Sequence, residues 1–153
     1  YKVITVFVDQ FSDLSFVYMQ KSTTAVETVQ AKEAFERYAK AHGVTVHHYH
    51  ADNGIFAEAE FLRSVEKTNQ TISFCGVNAH HMNGHAEKRI RDLQENARAM
   101  LLHAKRRWPS VVTANLWPYA VRMANEVHNF SPSIRHGVSP IEKFSQVQVS
   151  PRV

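Results

Sequence analysis

Two carboxylates in the sequence lie where a chain could hold a hard divalent cation. Asp52 follows an apolar strand pattern and opens an Asp-Asn-Gly turn, and Glu87 lies 35 positions later, in the first turn of a long basic helical pattern. Phosphoryl transfer on nucleic acid commonly uses two Mg²⁺ ions held by carboxylate oxygens, because the metals activate the nucleophile and neutralise charge in the transition state. The two residues therefore predict a metal-dependent site, provided that the fold brings them together.

The helical pattern that begins near Glu87 also carries positive charges suited to phosphate groups. Its basic residues are Lys88, Arg89, Arg91, Arg98, Lys105, Arg106 and Arg107. Those at positions 91, 98 and 105 recur every seven residues, so they follow a single line along a helix. This line predicts a surface that contacts a nucleic-acid backbone.

Each of these features also has an ordinary structural explanation. An Asp-Asn-Gly sequence after a strand is most often a turn, because Asn and Gly suit turn conformations. A Glu in the first turn of a helix commonly interacts with the N–H groups there. A basic helical face is commonly just solvated. None of the features alone specifies a function.

The surrounding patterns predict the mixed α/β architecture that would position these residues. The expected strands are 1–9, 14–20, 44–51 and 71–77, and the expected helices are 24–43, 57–68, 85–107 and 115–129. Thr24 with Glu27 is a capping-box pattern that predicts the start of the first helix, and Gly43 predicts its end. Open α/β sheets form sites at the carboxyl ends of their strands, which is where Asp52 is expected.

The composition is that of one globular domain. The chain has 153 residues, 44% of them hydrophobic, and a formal net charge of +4, which suits an anionic partner such as nucleic acid. No apolar run reaches the roughly 18 residues of a membrane span, and no signal-peptide pattern opens the chain. Cys75 is the only cysteine, which excludes disulfides within the chain and cysteine-rich zinc sites. We expect a soluble protein that is not secreted.

The motifs taken together resemble a known family. Asp-Asn-Gly at 52–54 followed, after about 35 residues, by Asn-Gly-x-x-Glu-Lys-Arg at 83–89 resembles the catalytic core of retroviral-type integrases. The chain is most similar to the cores of copia-type LTR retrotransposons. Three further stretches agree with this resemblance: Phe-Val-Asp-Gln-Phe-Ser at 7–12, Leu-Trp-Pro-Tyr-Ala-Val at 116–121 and Gly-Val-Ser-Pro-Ile-Glu at 137–142.

The resemblance implies a ribonuclease-H-like fold, with a mixed sheet flanked by helices. It implies an Asp–Asp–Glu polynucleotidyl transferase that trims the 3′ ends of element DNA and joins them to target DNA, using Mg²⁺ or Mn²⁺. The implied partners are element ends and target DNA, with further copies of the chain in the full-length protein and no membrane. The implied place of action is the nucleus or a cytoplasmic particle.

The resemblance also assigns roles to individual residues. Asp52 matches the second catalytic Asp and Glu87 the catalytic Glu, and both would be metal ligands. Asn83 and Gly84 match the flexible loop before the active-site helix. The residues that sit where this helix contacts DNA are Lys88, Arg89, Arg91 and Arg98.

The first catalytic Asp of the family has no match in the chain. It would lie on an earlier strand and be followed by Gly-Pro, whereas Asp9 matches a turn residue at the end of the second strand. We therefore expect an N-terminally truncated core at 1–144 with a tail at 145–153. Such a core lacks the first, central strand, leaves a gap in the hydrogen-bond ladder, and is expected to be inactive alone.

Other functions stay open at this stage. A degenerate core could bind nucleic acid or a protein partner without catalysis, and the chain could be a ribonuclease-H-like nuclease of another family. The segments 83–89 and 137–142 argue against that nuclease.

Six clustered histidines raise the possibility of a zinc site. They are His47, His48, His50, His80, His81 and His85. His48 and His50 alternate onto the same strand face as Asp52. Clustered histidines more often serve as hydrogen-bond partners or surface residues, and Cys75, inside a predicted strand, is expected to be a small core residue.

Overall fold

A two-stranded hairpin opens the chain, with strands β1 (Val3–Val8) and β2 (Ser15–Gln20). At one end the backbone N–H of Lys2 donates to the carbonyl of Gln20, and at the other that of Asp9 donates to the carbonyl of Leu14, both at 2.9 Å. The strands are therefore antiparallel, as is usual for two strands joined by a short turn.

The computed structural model describes residues 1–76, 83–134 and 137–147, and the chain divides into two compact units. The first unit consists of Tyr1–Phe7 and Tyr18–Ala86, and the second of Val8–Val17 and Glu87–Val153. The hairpin and the helix that follows residue 83 contribute residues to both units.

Helix α1 (Ala25–Ala41) of the first unit begins at the predicted cap. The side chain of Thr24 accepts a hydrogen bond from the backbone N–H of Glu27, which satisfies one of the free donors at the helix start. The carboxylate of Glu27 accepts from Lys21 N–H at 2.7 Å and from the Ser22 hydroxyl at 2.8 Å, so it binds the preceding turn. Gly43, at a φ of +75°, ends the helix as predicted.

The buried face of α1 includes polar residues. Val26, an apolar residue of this helix, is 50% exposed. The buried residues of the helix are Ala25, Thr28, Ala31, Lys32, Phe35 and Ala39. Thr28 and Lys32 can be buried because their polar atoms bond to Thr24 O and to Ser64 O. An apolar pattern does not detect a face that includes such residues.

Strands β3 (His48–Ala51) and β4 (Thr71–Phe74) run parallel and are joined through α2 (Ala59–Lys67). Their register places Tyr49 beside Ile72 and Ala51 beside Phe74. Both strands are shorter than predicted, and β3 starts four residues late. A short 3-10 turn (Ile55–Ala57) lies between β3 and α2.

An aromatic core holds the first unit together. The ring of Phe7 on β1 stacks on the ring of Phe35 of α1, with 4.9 Å between the ring centroids. It packs edge-on against Tyr49 of β3, with 6.1 Å between the centroids. Phe61 of α2 contacts Tyr49 from the other direction, at 6.2 Å. Aromatic pairs of this kind add to the energy gained from burying their area. They fix β3, and hence the residue after it, on a rigid base.

The second unit contains most of helix α3 (Gly84–Arg107), together with α4 (Trp117–Phe130) and α5 (Pro140–Ser145). Within α3, Leu93 and Ala97 are buried. Helix α4 follows a 3-10 turn (Ala114–Leu116) and carries Pro118 in its first turn, where proline is tolerated. Helix α5 starts at a complete capping box between Ser139 and Glu142.

Two asparagines of α4 bind the hairpin strand β2. The Ser15 hydroxyl donates to Asn125 Oδ1 at 2.7 Å. Asn129 Oδ1 accepts from the backbone N–H of Ser15 at 3.0 Å, and its Nδ2 donates to the carbonyl of Ser15 at 2.7 Å. The Asn129 amide therefore satisfies both backbone groups of one buried strand residue.

The strands combine antiparallel and parallel pairing, as predicted for a mixed sheet. In the described ranges, β1–β2 and β3–β4 form two separate two-stranded sheets. Among the described residues, no helix is both long and apolar enough to cross a membrane.

Candidate metal and nucleic-acid site

Asp52 lies directly after β3, in a turn that fixes one of its carboxylate oxygens. Asp52 Oδ1 accepts a hydrogen bond from the backbone N–H of Gly54 at 3.1 Å, and Asn53 Nδ2 donates to the carbonyl of Cys75 at 3.2 Å. The Asp-Asn-Gly sequence is therefore a turn, and this turn orients the Asp52 side chain. No described residue donates a hydrogen bond to Oδ2 of the same exposed carboxylate, so the turn interpretation and the metal interpretation are compatible.

Gly54 has a steric reason to be glycine. A Cβ atom at this position would lie 3.2 Å from Asp52 Oδ1, which is closer than most real Cβ contacts. An alanine there would require the Asp52 carboxylate to shift by a few tenths of an ångström, which would alter its hydrogen bond to the Gly54 N–H. The position of Asp52 is thus coupled to the identity of its neighbour in the turn.

The outward face of β3 and β4 carries a chain of polar side chains. His48 bonds to the hydroxyls of Thr71 and Ser73 at 2.7 and 2.8 Å, and His50 Nδ1 lies 2.9 Å from the same Ser73 hydroxyl. The Cys75 thiol lies 3.4 Å from His50 Nε2 and is buried, as expected of a small core residue. These two histidines are therefore hydrogen-bond partners of hydroxyls and a thiol.

Glu87 is exposed in the first turn of α3, where the sequence places it. The basic side chains of α3 that are exposed along with it include Lys88, Arg91, Arg98 and Lys105. Their exposure leaves the predicted line of charge open to a polyanion.

Arg89, in contrast, is only 8% exposed. Its guanidinium donates to Asp13 Oδ2 at 2.6 Å and lies 2.9 Å from His128 Nδ1. Asp92 is a more distant partner, at 3.9 Å. The Arg89 side chain is therefore occupied within the second unit, which argues against its predicted contact with DNA.

The loop predicted before α3 is described only at its end. Asn83 and Gly84 are half-buried, and Gly84 is the first residue of α3, one residue before the predicted start. A Cβ at Gly84 would meet nothing within 4 Å, so packing does not require glycine there. The histidines at 80 and 81 lie outside the described residues, and His85 is exposed on α3.

Asp9 is held in the hairpin turn. Its Oδ2 accepts from the backbone N–H of Ser12 at 2.8 Å and from the Ser12 hydroxyl at 2.6 Å. This arrangement is typical of an Asp that stabilises a turn. It agrees with the turn role that the family resemblance implies for this residue.

Asp52 belongs to the first unit and Glu87 to the second, so their convergence stays a prediction. Within 1–76, 83–134 and 137–147, no three His, Cys, Asp or Glu side chains are grouped so that they could hold a metal ion. The donor chemistry nevertheless fits Mg²⁺ or Mn²⁺, since both residues offer exposed carboxylate oxygens.

The arrangement of strands and helices matches those of several solved structures. The alignment with the magnesium-bound catalytic core of HTLV-2 integrase, in its trimeric form, spans 92% of this chain and 83% of the HTLV-2 chain. The sequence identity is 21% and the TM-score 0.69. The alignment with the catalytic core of BIV integrase spans 94% of this chain and 85% of the BIV chain, at 20% sequence identity and a TM-score of 0.67. The fold is that of a retroviral integrase catalytic core. This confirms the predicted ribonuclease-H-like class.

A third match is the intasome of simian T-cell lymphotropic virus in complex with PP2A regulatory subunit B56 gamma. The alignment spans 97% of this chain and 54% of the matched chain of that complex, at 17% sequence identity and a TM-score of 0.70. At such identities the likeness concerns the fold. No protein-family model and no curated protein sequence matches the chain. The copia-type resemblance therefore stays a prediction.

Sequence reasoning missed Asp13 and His128, the partners of Arg89. Asp13 follows a strand break and adopts a φ of +64°, which Asp tolerates better than most residues. His128 lies on the inward side of α4, four residues after the buried Ala124. Both signals are weak, because either residue could equally have been exposed.

Proposed function

We propose that this chain is the catalytic core of an integrase-type polynucleotidyl transferase, an enzyme that trims the ends of element DNA and joins them to target DNA. We further propose that the core alone is inactive, because the first catalytic Asp of the family has no match in it. The observation that carries the proposal is the place of Asp52, at the carboxyl end of a parallel strand in an integrase-core fold, with its carboxylate oriented by a turn. The copia-type motif at 83–89 further supports an LTR-retrotransposon source.

Asp52 and Glu87 are the proposed ligands of Mg²⁺ or Mn²⁺. When bound, such metals activate the attacking oxygen and stabilise charge on the phosphoryl group. The Gly54 N–H holds Asp52 Oδ1 at 3.1 Å, and α3 carries Glu87 on a rigid element. Rigid supports of this kind reduce the freedom that ligands would otherwise lose on binding. Asp9 is not included, because the resemblance matches it to a turn residue and Ser12 holds its side chain in that turn.

The exposed basic residues of α3 are the proposed DNA surface: Lys88, Arg91 and Arg98, continued by Lys105. The Asn83-Gly84 segment at the start of α3 would approach the same DNA. Arg89 is assigned a structural role instead, since its guanidinium is buried against Asp13 and His128. Cations that neutralise phosphates release counterions, so affinity for DNA should fall steeply with salt.

A salt series of DNA-binding measurements tests this surface. The double variant Arg91→Gln/Arg98→Gln should lower the slope of log affinity against log salt by about 2, because each phosphate contact contributes about 1. Lys40→Gln, which removes an exposed charge from the last turn of α1, is the matched control and should leave the slope unchanged. Equal slopes for the wild type and the double variant would refute the α3 surface.

The proposed protein partner is a second copy of the chain, bound through the exposed face of α4. Four apolar residues of that helix are exposed between 45% and 68%: Tyr119, Met123, Val127 and Phe130. Arg122 and Glu126 are exposed on the same helix, so two antiparallel copies would place opposite charges together. The HTLV-2 core is known in dimeric and trimeric forms. From the family resemblance, we also propose that the protein acts in the nucleus or in a cytoplasmic particle.

A further inference from the structure

Three elements of the second unit meet at a buried arginine. Arg89 of α3 donates to Asp13 Oδ2 in the hairpin turn at 2.6 Å and lies 2.9 Å from Nδ1 of His128 on α4. His128 Nε2 in turn lies 2.9 Å from the backbone carbonyl of Asp13. The three residues therefore form a closed ring of contacts, defined here as the Asp13–Arg89–His128 ring.

The partners of His128 determine which tautomer it adopts. A guanidinium only donates hydrogen bonds, so Nδ1 of His128 must accept from Arg89. A carbonyl only accepts, so Nε2 must carry the proton that it donates to Asp13. The ring is thus complete only with neutral His128, protonated at Nε2. A second proton on Nδ1 would remove the acceptor and oppose two cations.

The ring is the main polar support of Arg89. The residue is 8% exposed, and its Nε has no hydrogen-bond partner among the described residues. If His128 ceased to accept, the buried guanidinium would keep only Asp13 and, at 3.9 Å, Asp92. Buried charges that lose partners are costly, so α3 would be expected to shift or open near this point.

We infer that the Asp13–Arg89–His128 ring positions the first turns of α3, and that protonation of His128 releases them. Glu87 lies two residues before Arg89 on the same helix, so the ring would also set the orientation of Glu87. That last step rests on the proposed role of Glu87 as a metal ligand. Arg89, Asp13 and His128 are positioning residues in this account and do not touch substrate.

The electrostatics around His128 act in the same direction. Burial lowers the pKa of His128, and the positive charge of Arg89 lowers it further. The carbonyl of Asp13 and the carboxylates of Asp13 and Asp92 raise the pKa, but the net shift is downward from the ordinary value of 6.5. The contribution of the ring is therefore present above pH 6.5 and is lost as the pH falls below 6.5 towards the lowered folded-state pKa.

Hydrogen exchange of the α3 amides tests the inference on the 153-residue chain without reference to activity. Protection factors for residues 87–92 should be constant above pH 6.5 and should fall below it, by up to about tenfold for each unit by which the pKa of His128 is lowered. His128→Gln keeps an acceptor oxygen and a donor nitrogen but does not titrate, so its protection should not depend on pH in this range. His103→Gln, an exposed histidine on the same helix, should behave as wild type.

Two results would overturn the inference: wild-type protection that does not change with pH, or His128→Gln retaining the wild-type pH dependence. If His128→Gln fails to fold, Arg89→Lys supplies the test, because it keeps the charge but loses one of the two contacts. Arg89→Lys should show reduced protection of residues 87–92 already at neutral pH, and full protection would refute the ring.

A Mn²⁺ titration separates this inference from the proposed function. If Glu87→Gln leaves Mn²⁺ affinity unchanged, Glu87 is not a ligand, whatever the exchange data show. If Glu87→Gln weakens Mn²⁺ binding but His128→Gln has wild-type affinity at every pH, the link from the ring to Glu87 is wrong. The account predicts that Mn²⁺ affinity falls less steeply with decreasing pH in His128→Gln than in the wild type.

Discussion

Replacing Asn129 with alanine should destabilise the protein by about 2–6 kcal/mol. The Asn129 side chain accepts from the backbone N–H of Ser15 at 3.0 Å and donates to the carbonyl of Ser15 at 2.7 Å. Asn129 is 3% exposed and Ser15 is 1% exposed, so water cannot readily replace the lost amide. Each buried backbone group left unsatisfied costs about 1–3 kcal/mol, and two such groups give the estimate.

Urea unfolding followed by circular dichroism measures this effect. The midpoint should fall with little change in the slope, because the variant changes stability more than the surface exposed on unfolding. Asn115→Ala removes an exposed asparagine just before α4 and is the matched control, with an expected change within about 0.5 kcal/mol. A loss below about 1 kcal/mol for Asn129→Ala would refute the claim that this amide satisfies the β2 backbone.

Asn129→Asp gives a second test with a defined sign. The carboxylate can accept from Ser15 N–H, but it would face the carbonyl of Ser15, to which Asn129 Nδ2 donates in the wild type. Burial and this carbonyl should raise the pKa of the new Asp in the folded state above its unfolded value of about 3.9. The stability deficit relative to wild type should then shrink as the pH falls through the raised pKa towards about 4. A deficit that does not depend on pH would contradict this geometry.

Three further predictions concern other parts of the chain. Replacing Lys32, which is 1% exposed, with alanine should lower the free energy of unfolding by about 3–5 kcal/mol. Methionine, which keeps the packed stem of the side chain, should cause a smaller loss, and equal losses of the two variants in urea unfolding would contradict this. Gly54→Ala should weaken Mn²⁺ binding about 10-fold or more by displacing Asp52 Oδ1, with wild-type affinity in calorimetry as the refuting result. Met123→Lys should shift sedimentation towards monomer, whereas Val111→Lys, at a more exposed apolar residue outside α4, should not; unchanged association of both variants would exclude the α4 face.

Local signals in the sequence predicted the helix boundaries well. Thr24 with Glu27, and Gly43 at a φ of +75°, act within a few residues of each other, so the start and end of α1 could be read from the chain. The place of Asp52 after β3 could be predicted for the same reason. The fold class followed from the order of elements and from the resemblance to integrase cores.

Buried polar residues could not be predicted, because their partners are distant in the sequence. Arg89 has the appearance of a surface cation, yet its partner Asp13 is 76 positions away and His128 is 39 positions away. Lys32 pairs with Glu36 four residues along the same helix, but its two other partners, Ser64 and Thr68, are 32 and 36 positions away. A single sequence carries no signal for such pairs, since burial of a charge becomes tolerable only when the fold supplies the partner.

Mn²⁺ binding measured by calorimetry tests the central claim most directly. Asp52→Asn and Glu87→Gln should each reduce affinity by about tenfold or more, because each removes a charged oxygen ligand. Glu95→Gln, an exposed carboxylate on the same helix as Glu87, and Asp9→Asn, in the hairpin turn, should both retain wild-type affinity. Unchanged affinity in Asp52→Asn or Glu87→Gln, or a comparable loss in Asp9→Asn, would contradict the proposed metal site.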